Sequence, residues 1–183
     1  MSITPATYAQ WRKSTLGALT EHLEQESIFS LVGDPGGLRV IDVGCGDGAY
    51  AVRASREGAD VVGLDRSQSM LEAGRARATS AGAVVMWCQG DARALPFRDA
   101  SVDLVLAVTN LCLVSEPLVA LNEMSRVLRP GGVLVVGELG LWSLWACGRR
   151  FRGWLGDQFW NTAHFWTAAS AGLRVSDMRG AVY

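Results

Sequence analysis

Three alternating glycines follow a short apolar strand in the segment Val40–Gly48, and a helical pattern comes next. Glycine adopts backbone conformations closed to other residues, and its missing side chain lets a ligand approach the main chain. Asp65 closes the next apolar strand, where a carboxylate can accept hydrogen bonds from both hydroxyls of a ribose. A charged hydrogen bond of that kind contributes roughly 1.5–3 kcal/mol. These residues predict a site for a nucleoside-containing cofactor, either an adenosyl sulfonium compound or NAD.

The glycine segment alone does not separate the alternatives. Gly44, Gly46 and Ala49 also satisfy the dinucleotide-binding pattern GxGxxG/A. A tight strand-to-helix turn without a ligand would use the same glycines, and Asp65 would then be an exposed acid at a strand end.

Helix and strand patterns alternate along the chain from residue 38. Before it, residues 6–32 have a helical pattern in which Leu16, Leu19 and Leu23 recur. A capping box over 69–72 predicts the start of a later helix. The predicted strands are 38–43, 60–64, 84–88, 102–108, 133–136 and a sixth from 173, and the predicted helices are 49–57, 69–81 and one from 115 to the turn at 130–132.

The alternation predicts an α/β fold with a doubly wound, mostly parallel sheet flanked by helices. Ligands of such sheets bind beyond the carboxyl ends of the strands, which is where the glycines and Asp65 lie. In the last of these helices, the expected buried stripe is Leu118, Leu121, Met124 and Leu128.

Composition argues against several classes of protein. The net charge is -1, so no basic surface indicates nucleic-acid binding. None of the four cysteines forms a CxxC pair, which argues against a structural zinc site or a disulfide framework and predicts a reducing cytoplasm. The N-terminus lacks the pattern of a secretory signal, and no apolar stretch reaches the ~18 residues of a membrane span. We therefore expect a cytoplasmic protein with no metal and no integral membrane segment.

Two further segments separate the two cofactors. They are 89–97, directly after the third strand, and 123–132, before the fifth. With the glycine segment they resemble the class I S-adenosylmethionine-dependent methyltransferases, specifically the branch that includes the ubiquinone/menaquinone-biosynthesis C-methyltransferases. Residues 38–138 match that pattern in order and spacing, whereas an NAD-dependent oxidoreductase does not explain Gly90 and Asp91.

The resemblance implies a Rossmann-like fold, S-adenosyl-L-methionine as cofactor, and methyl transfer to a small-molecule acceptor by in-line displacement. It also implies that Gly44, Gly46 and the backbone near Asp42 line the methionine part, and that Asp65 holds the ribose. The complete implied cofactor-binding set is Tyr8, Trp11, Asp42, Gly44, Cys45, Gly46, Asp65, Arg66, Met70, Asp91, Ala92, Val108 and Thr109.

Within that set, Met70 would pack beside the adenine, Asp91 would accept from its amino group, and Ala92 would supply a backbone N–H. Val108 and Thr109 would face the sulfonium. Tyr8 and Trp11 resemble a helix that covers the cofactor in a narrower bacterial group of these methyltransferases, and residues 137–145 and 149–156 resemble the same group's segment after the fifth strand.

Five of the seven tryptophans lie between residues 142 and 166. Three interpretations stay open: core and crossover packing, a lid over an apolar acceptor, and an interfacial helix that contacts a membrane or a partner.

The acceptor needs a base only if it must lose a proton, because the sulfonium already activates the methyl group. His164 is a candidate base, with a packed or exposed histidine as the alternative. Glu138 is a second candidate and could instead bind the N-terminal helix. Cys112 could be a nucleophile, although a small apolar role is the better interpretation, because nothing beside it in sequence would activate it.

The chain ends at Tyr183, about where the sixth strand should end, so the seventh strand of the class is expected to be missing. We expect one domain, with a helical cap at 1–37, a cofactor-binding core at 38–138 and a tryptophan-rich lid or crossover with the last strand at 139–183. An unpaired sheet edge predicts self-association, and a shortened domain that binds cofactor without turnover is an alternative function.

Overall fold

The computed structural model describes residue 10 and residues 14–138. Within 14–138, helices and strands alternate as the sequence predicts. The elements are α1 Thr15–Val32, β1 Arg39–Val43, α2 Ala49–Arg56, β2 Asp60–Asp65, α3 Gln68–Ala81, β3 Val85–Gln89, β4 Val102–Val108, a 3₁₀ helix Leu111–Leu113, α4 Pro117–Val127 and β5 Leu128–Gly137. The strand expected from 173 and the segment 139–183 lie outside the described residues.

The five described strands form one parallel sheet in the order β3-β2-β1-β4-β5. This confirms the predicted α/β, Rossmann-like fold. Because all five strands run in the same direction, their carboxyl ends lie along one edge of the sheet. From β3 to β5 along that edge, the last strand residues are Gln89, Asp65, Val43, Val108 and Gly137.

Side chains of the central strands alternate between two buried clusters, one on each face of the sheet. Ile41 and Val105 belong to the cluster that includes Met124 of α4. Val40 and Leu104 belong to the cluster on the other side, with Phe29 of α1 among its members. Both faces of β1 and β4 are therefore covered, which explains why these strands are nearly continuous apolar runs.

Two helices begin at residues that the sequence patterns do not predict. The continuous helix expected over 6–32 is wrong at Ser14, whose backbone is extended and whose side chain accepts from Gly17 N at 3.1 Å. The capping box at Ser69 is also wrong, because Ser67 caps α3 and its Oγ accepts from Met70 N at 3.3 Å. Ser67 N donates to Asp65 Oδ1 at 2.8 Å, so the chain turns immediately after β2 and the helix begins early.

The junction of α4 and β5 also differs from expectation. The helix ends at Val127, and 130–132, expected to end it, lies inside β5. The register with β4 shifts between Val102 and Leu104, which accommodates the extra residues. Leu118 is 55% exposed, and Leu128 belongs to the strand. The buried residues of α4 are Ala120, Leu121, Met124 and Val127.

The leucine stripe of α1 does not face the core. Leu16 and Leu19 are about half exposed and Leu23 is 37% exposed. The helix instead buries Gly17, Thr20, Ile28 and Phe29. Helical spacing shows which residues share a face of the helix but not which face is buried. Here the face that contacts the sheet is the one with Ile28 and Phe29.

Trp87 of β3 fits into a slot that three glycines leave open. A Cβ at Gly63 or Gly74 would lie 2.6–2.9 Å from atoms of the indole ring, and one at Gly48 would overlap the same ring. Gly48 begins the first turn of α2, Gly63 lies in β2 and Gly74 lies in α3. The indole therefore fixes the spacing of α2 and α3 over β2 and β3.

The β3–β4 connection is held by a pair of residues on α4. Glu123 and Arg126 form an ion pair with a shortest Nε–Oε1 distance of 2.6 Å. Glu123 Oε2 accepts from Leu95 N at 2.9 Å, and Arg126 donates to the carbonyls of Leu95 and Phe97.

None of the helices in the described residues combines the length and the apolar character that a membrane-spanning helix needs.

Candidate functional site

The glycine loop lies between β1 and α2, over the end of β2. Gly44 N and Cys45 N both donate to Leu64 O, at 2.7 and 3.0 Å. Gly44 and Gly46 have φ of +70° and +54°, a region that favours glycine. A Cβ at Gly46 would meet nothing within 4 Å, so the loop backbone borders open space there. The loop can therefore approach a ligand closely.

Asp65 at the end of β2 is bound to the glycine loop. Its Oδ2 accepts from Gly46 N and its Oδ1 from Ser67 N, each at 2.8 Å. The carboxylate is half-buried, and each oxygen has a further lone pair. These lone pairs suit the two hydroxyls of a ribose, and open backbone beside a fixed carboxylate fits the nucleoside part of S-adenosylmethionine.

The side chain of Asp42 faces the protein interior. It is 1% exposed, and its Oδ2 accepts from Ala51 N of α2 at 3.0 Å. Burial raises the pKa of Asp42 to about 7, with smaller contributions from the neighbouring acids Asp65 and Asp47. Cys45 is also buried, and burial raises the pKa of its thiol. Asp42 is therefore buried with its backbone inside the sheet, and Cys45 leaves only 7% of its surface exposed beside the loop.

Asp91 lies just after β3 and is held by Arg93. Arg93 Nη2 donates to Asp91 Oδ2 at 2.8 Å, Arg93 N donates to Asp91 Oδ1 at 2.9 Å, and Nε approaches both oxygens. The Arg93 side chain also donates to Glu116 Oε2 at 2.8 Å. These hydrogen bonds lower the pKa of Asp91 to about 2. An adenine amino group would share this carboxylate with Arg93, while Ala92 beside it is buried.

Arg66 and Met70 follow β2 next to Asp65. Arg66 is exposed, and its carbonyl accepts from Gln89 Nε2 at 3.0 Å, which ties the ends of β2 and β3 together. Met70 is half-buried in the first turn of α3. Arg66 therefore lies beside the end of β3, and Met70 follows in the first turn of α3.

The end of β4 makes an unusual turn. Thr109 is exposed and has a φ of +51°, which is rare for a β-branched residue. Thr109 N donates to Gly137 O at 2.6 Å, and the half-buried Val108 precedes it. Turns with strained backbone concentrate at functional sites, and this one lies at the carboxyl edge of the sheet.

Asn110 is the residue of this turn that sequence reasoning missed. Its Nδ2 donates to Val43 O at 2.9 Å, and a Cβ at Gly44 would overlap its side chain. Its place directly after Thr109 was the one sequence feature that could have indicated it. Its contact with Gly44 could not be predicted, because the two residues are far apart in the sequence.

Glu138 binds the same turn from the end of β5. Its Oε1 accepts from Asn110 N at 3.1 Å and from Leu111 N at 2.7 Å. Burial raises the pKa of Glu138 to about 7, although the hydrogen bonds it accepts oppose the shift. Cys112 beside it is 1% exposed, as a small core residue would be.

The structure brings five sequence-predicted positions to one edge of the sheet. In order across the strands they are Asp91, Asp65, Gly44, Thr109 and Glu138. Tyr8, Trp11 and His164 lie outside the described residues. In the described part of the chain, no cluster of His, Cys, Asp and Glu could hold a metal ion.

A parallel sheet with a glycine loop after its first strand and an acid after its second defines the nucleotide-binding α/β class. A family model described as a methyltransferase domain matches residues 41–136, just over half of the chain. The chain belongs to this family of S-adenosylmethionine-dependent methyltransferase domains.

Individual relatives agree with the family. The chain is similar to the demethylmenaquinone methyltransferases of Renibacterium salmoninarum (43% identity over 111 residues, 61% of this chain and 45% of the relative) and of Staphylococcus aureus strain MRSA252 (41% over 105 residues, 56% and 43%). It thus spans less than half the length of these curated relatives. A solved S-adenosylmethionine-dependent methyltransferase of Thermotoga maritima, a possible histamine N-methyltransferase, matches with a TM-score of 0.73 and 28% identity over 90% of this chain and 71% of that one.

Proposed function

We propose that this protein transfers a methyl group from S-adenosylmethionine to a small-molecule acceptor. The observation that carries the proposal is the contact between Asp65 and Gly46, which joins a ribose-binding acid to open loop backbone at the carboxyl edge of the sheet. When bound, S-adenosylmethionine supplies a methyl group already activated by the positive sulfonium.

The residues of the edge bind and orient the two reactants. The Gly44–Gly46 backbone borders the methionine part, Asp65 accepts from the ribose, and Asp91 accepts from the adenine amino group. Thr109, at the end of β4, would lie on the side of the sulfonium when the cofactor is bound. Most of the rate enhancement then comes from alignment of acceptor and methyl, which is worth several kcal/mol in well-oriented reactions.

The acceptor class to test first comes from the curated relatives. Two proteins about 41–43% identical to part of this chain are named as acting on demethylmenaquinone. Leu113, Leu118 and Val119, near the end of β4, are large apolar residues that are 42–55% exposed. Exposed apolar residues in the segment that follows β4 suit an acceptor with apolar character.

The first experiment measures cofactor choice by calorimetric titration of the full chain. We expect S-adenosylhomocysteine to bind and NADH not to bind. Binding of NADH with no response to S-adenosylhomocysteine would refute the proposal.

A second experiment separates an enzyme from a domain that binds without turnover. Labelled S-adenosylmethionine is incubated with demethylmenaquinone and with histamine, and the organic products are analysed for label. Label in an acceptor supports the enzyme. Tight binding of S-adenosylhomocysteine with no transfer to acceptors of either type favours the non-catalytic alternative.

A further inference from the structure

Three consecutive N–H groups of the turn after β4 donate to residues at the end of β5. Thr109 N donates to the carbonyl of Gly137, and the next two N–H groups, of Asn110 and Leu111, donate to Glu138 Oε1. Thr109 keeps a positive φ in this turn, a strained conformation that costs free energy and persists where the surroundings fix it. Three consecutive hydrogen bonds from β5 offset that cost.

The same turn fixes the glycine loop from its other side. The Asn110 side chain donates to Val43 O and occupies the space that any Cβ at Gly44 would need. The backbone of Asn110 is therefore held by Glu138, and the side chain of Asn110 in turn holds the start of the glycine loop. The ends of β5, β4 and β1 are joined through two side chains.

Only one oxygen of Glu138 takes part in this connection. Oε1 accepts the N–H groups of Asn110 and Leu111, while Oε2 is buried and accepts neither of them. The thiol and backbone of Cys112 also interact with the carboxyl and favour its ionised form. A group that acts through a single acceptor oxygen does not need to be ionised, because the carbonyl oxygen of an amide or of a protonated acid accepts the same N–H donors. A general base, in contrast, must be ionised to remove a proton.

We propose that Glu138 is a positioning residue of the methyl-transfer site: its Oε1 fixes the Thr109–Leu111 turn, and Asn110 transmits that position to the glycine loop. The inference rests on the proposed function for its consequence in catalysis, whereas the mechanical connection can be tested in the ligand-free protein. Glu138 then supports the turn after β4 and does not act as a base.

Hydrogen exchange of the ligand-free full chain tests the connection directly. In Glu138→Ala we expect faster exchange of the Asn110 and Leu111 amides, and faster exchange also of the Gly46 amide in the glycine loop. Glu138→Gln should keep wild-type protection at all three. Unchanged protection of Gly46 in the alanine variant would overturn the connection.

Glu123→Ala is the matched control, because Glu123 also accepts a backbone N–H but does so at Leu95, away from the glycine loop. It should speed exchange at Leu95 and leave Gly46 unchanged. Asn110→Ala covers the case in which the Glu138→Ala protein does not fold. It retains the backbone contact with Glu138 and should loosen the glycine loop alone, and wild-type protection of the loop in this variant would also overturn the proposal.

Kinetics separate positioning from base catalysis. Glu138→Gln should keep kcat and the affinity for S-adenosylhomocysteine within about threefold of wild type, whereas Glu138→Ala should lose about tenfold to a hundredfold in kcat. A glutamine variant as slow as the alanine variant would identify Glu138 as a base and refute the proposal. If wild type binds no S-adenosylhomocysteine, the proposed function fails while hydrogen exchange still decides the role of Glu138.

Discussion

The backbone N–H of Gly46 donates to Asp65 Oδ2 over 2.8 Å. The acid that ends β2 therefore fixes the glycine loop that follows β1, and we expect a ligand that binds one of them to contact the other. Since Asp65 holds Ser67 N as well, the start of α3 belongs to the same unit.

Asp65→Ala should weaken binding of S-adenosylhomocysteine by roughly 1.5–3 kcal/mol, about tenfold to a hundredfold in Kd, because the ribose hydroxyls lose their charged acceptor. Calorimetry measures the change. Asp60→Ala is the matched control, since Asp60 is exposed at the opposite end of β2, and its Kd should equal that of wild type. An unchanged Kd in Asp65→Ala would mean that the ribose does not bind at this acid.

Asp91 should discriminate between adenine and a base without the amino group. We expect wild type to bind S-adenosylhomocysteine about tenfold to a hundredfold more tightly than its inosine analogue, because the analogue presents a carbonyl oxygen to a carboxylate. Asp91→Ala should remove most of this preference. Calorimetry with both ligands measures the ratio, and equal ratios in the two proteins would exclude contact between Asp91 and the base.

Asp42→Asn should make the stability less dependent on pH. Burial raises the pKa of Asp42 from 3.8 to about 7, so the folded protein retains a proton that the unfolded chain releases. The resulting stabilisation is complete below the unfolded pKa and is lost as the pH rises through about 7. Asparagine cannot ionise, and its carbonyl can still accept from Ala51 N.

Thermal melting at about pH 5 and about pH 8 tests this expectation. The decrease in Tm between the two should be smaller in the variant than in wild type. It should not vanish, because burial raises the pKa of Glu138 in the same direction. Equal decreases in the two proteins would show that Asp42 does not titrate in this range.

Gly74→Ala should destabilise the protein by about 1–3 kcal/mol through overlap of the new Cβ with the Trp87 ring, although alanine is the better helix former by about 1 kcal/mol. The Cβ would lie 2.6 Å from two ring atoms. A double-mutant cycle with Trp87→Leu, measured by chemical denaturation, checks the cause. The double variant should lose less free energy of unfolding than the two single variants lose together. Strict additivity would show that the Gly74 Cβ does not clash with the Trp87 ring.

The amino-acid sequence alone determined the order of the elements in the described residues and predicted the edge of the sheet where the candidate site lies. The glycine loop and Asp65 could be identified because glycine spacing and the ends of apolar strands are local features of the sequence. The alternation of strands and helices predicted a parallel sheet. A parallel sheet brings the carboxyl ends of its strands to one edge, so the sequence predicts that the candidate positions lie together at that edge.

Tertiary structure decided the contacts between residues far apart in the chain. Asn110 packs against Gly44 and Glu138 binds the Thr109–Leu111 turn, and neither contact has a local signal. Ser67 replaces Ser69 as a helix cap because Asp65 turns the chain early, and the Leu16 face of α1 is exposed because Phe29 and its neighbours contact the sheet instead. A side chain's type and spacing limit what it can do, but the elements packed around it determine which of those interactions it makes.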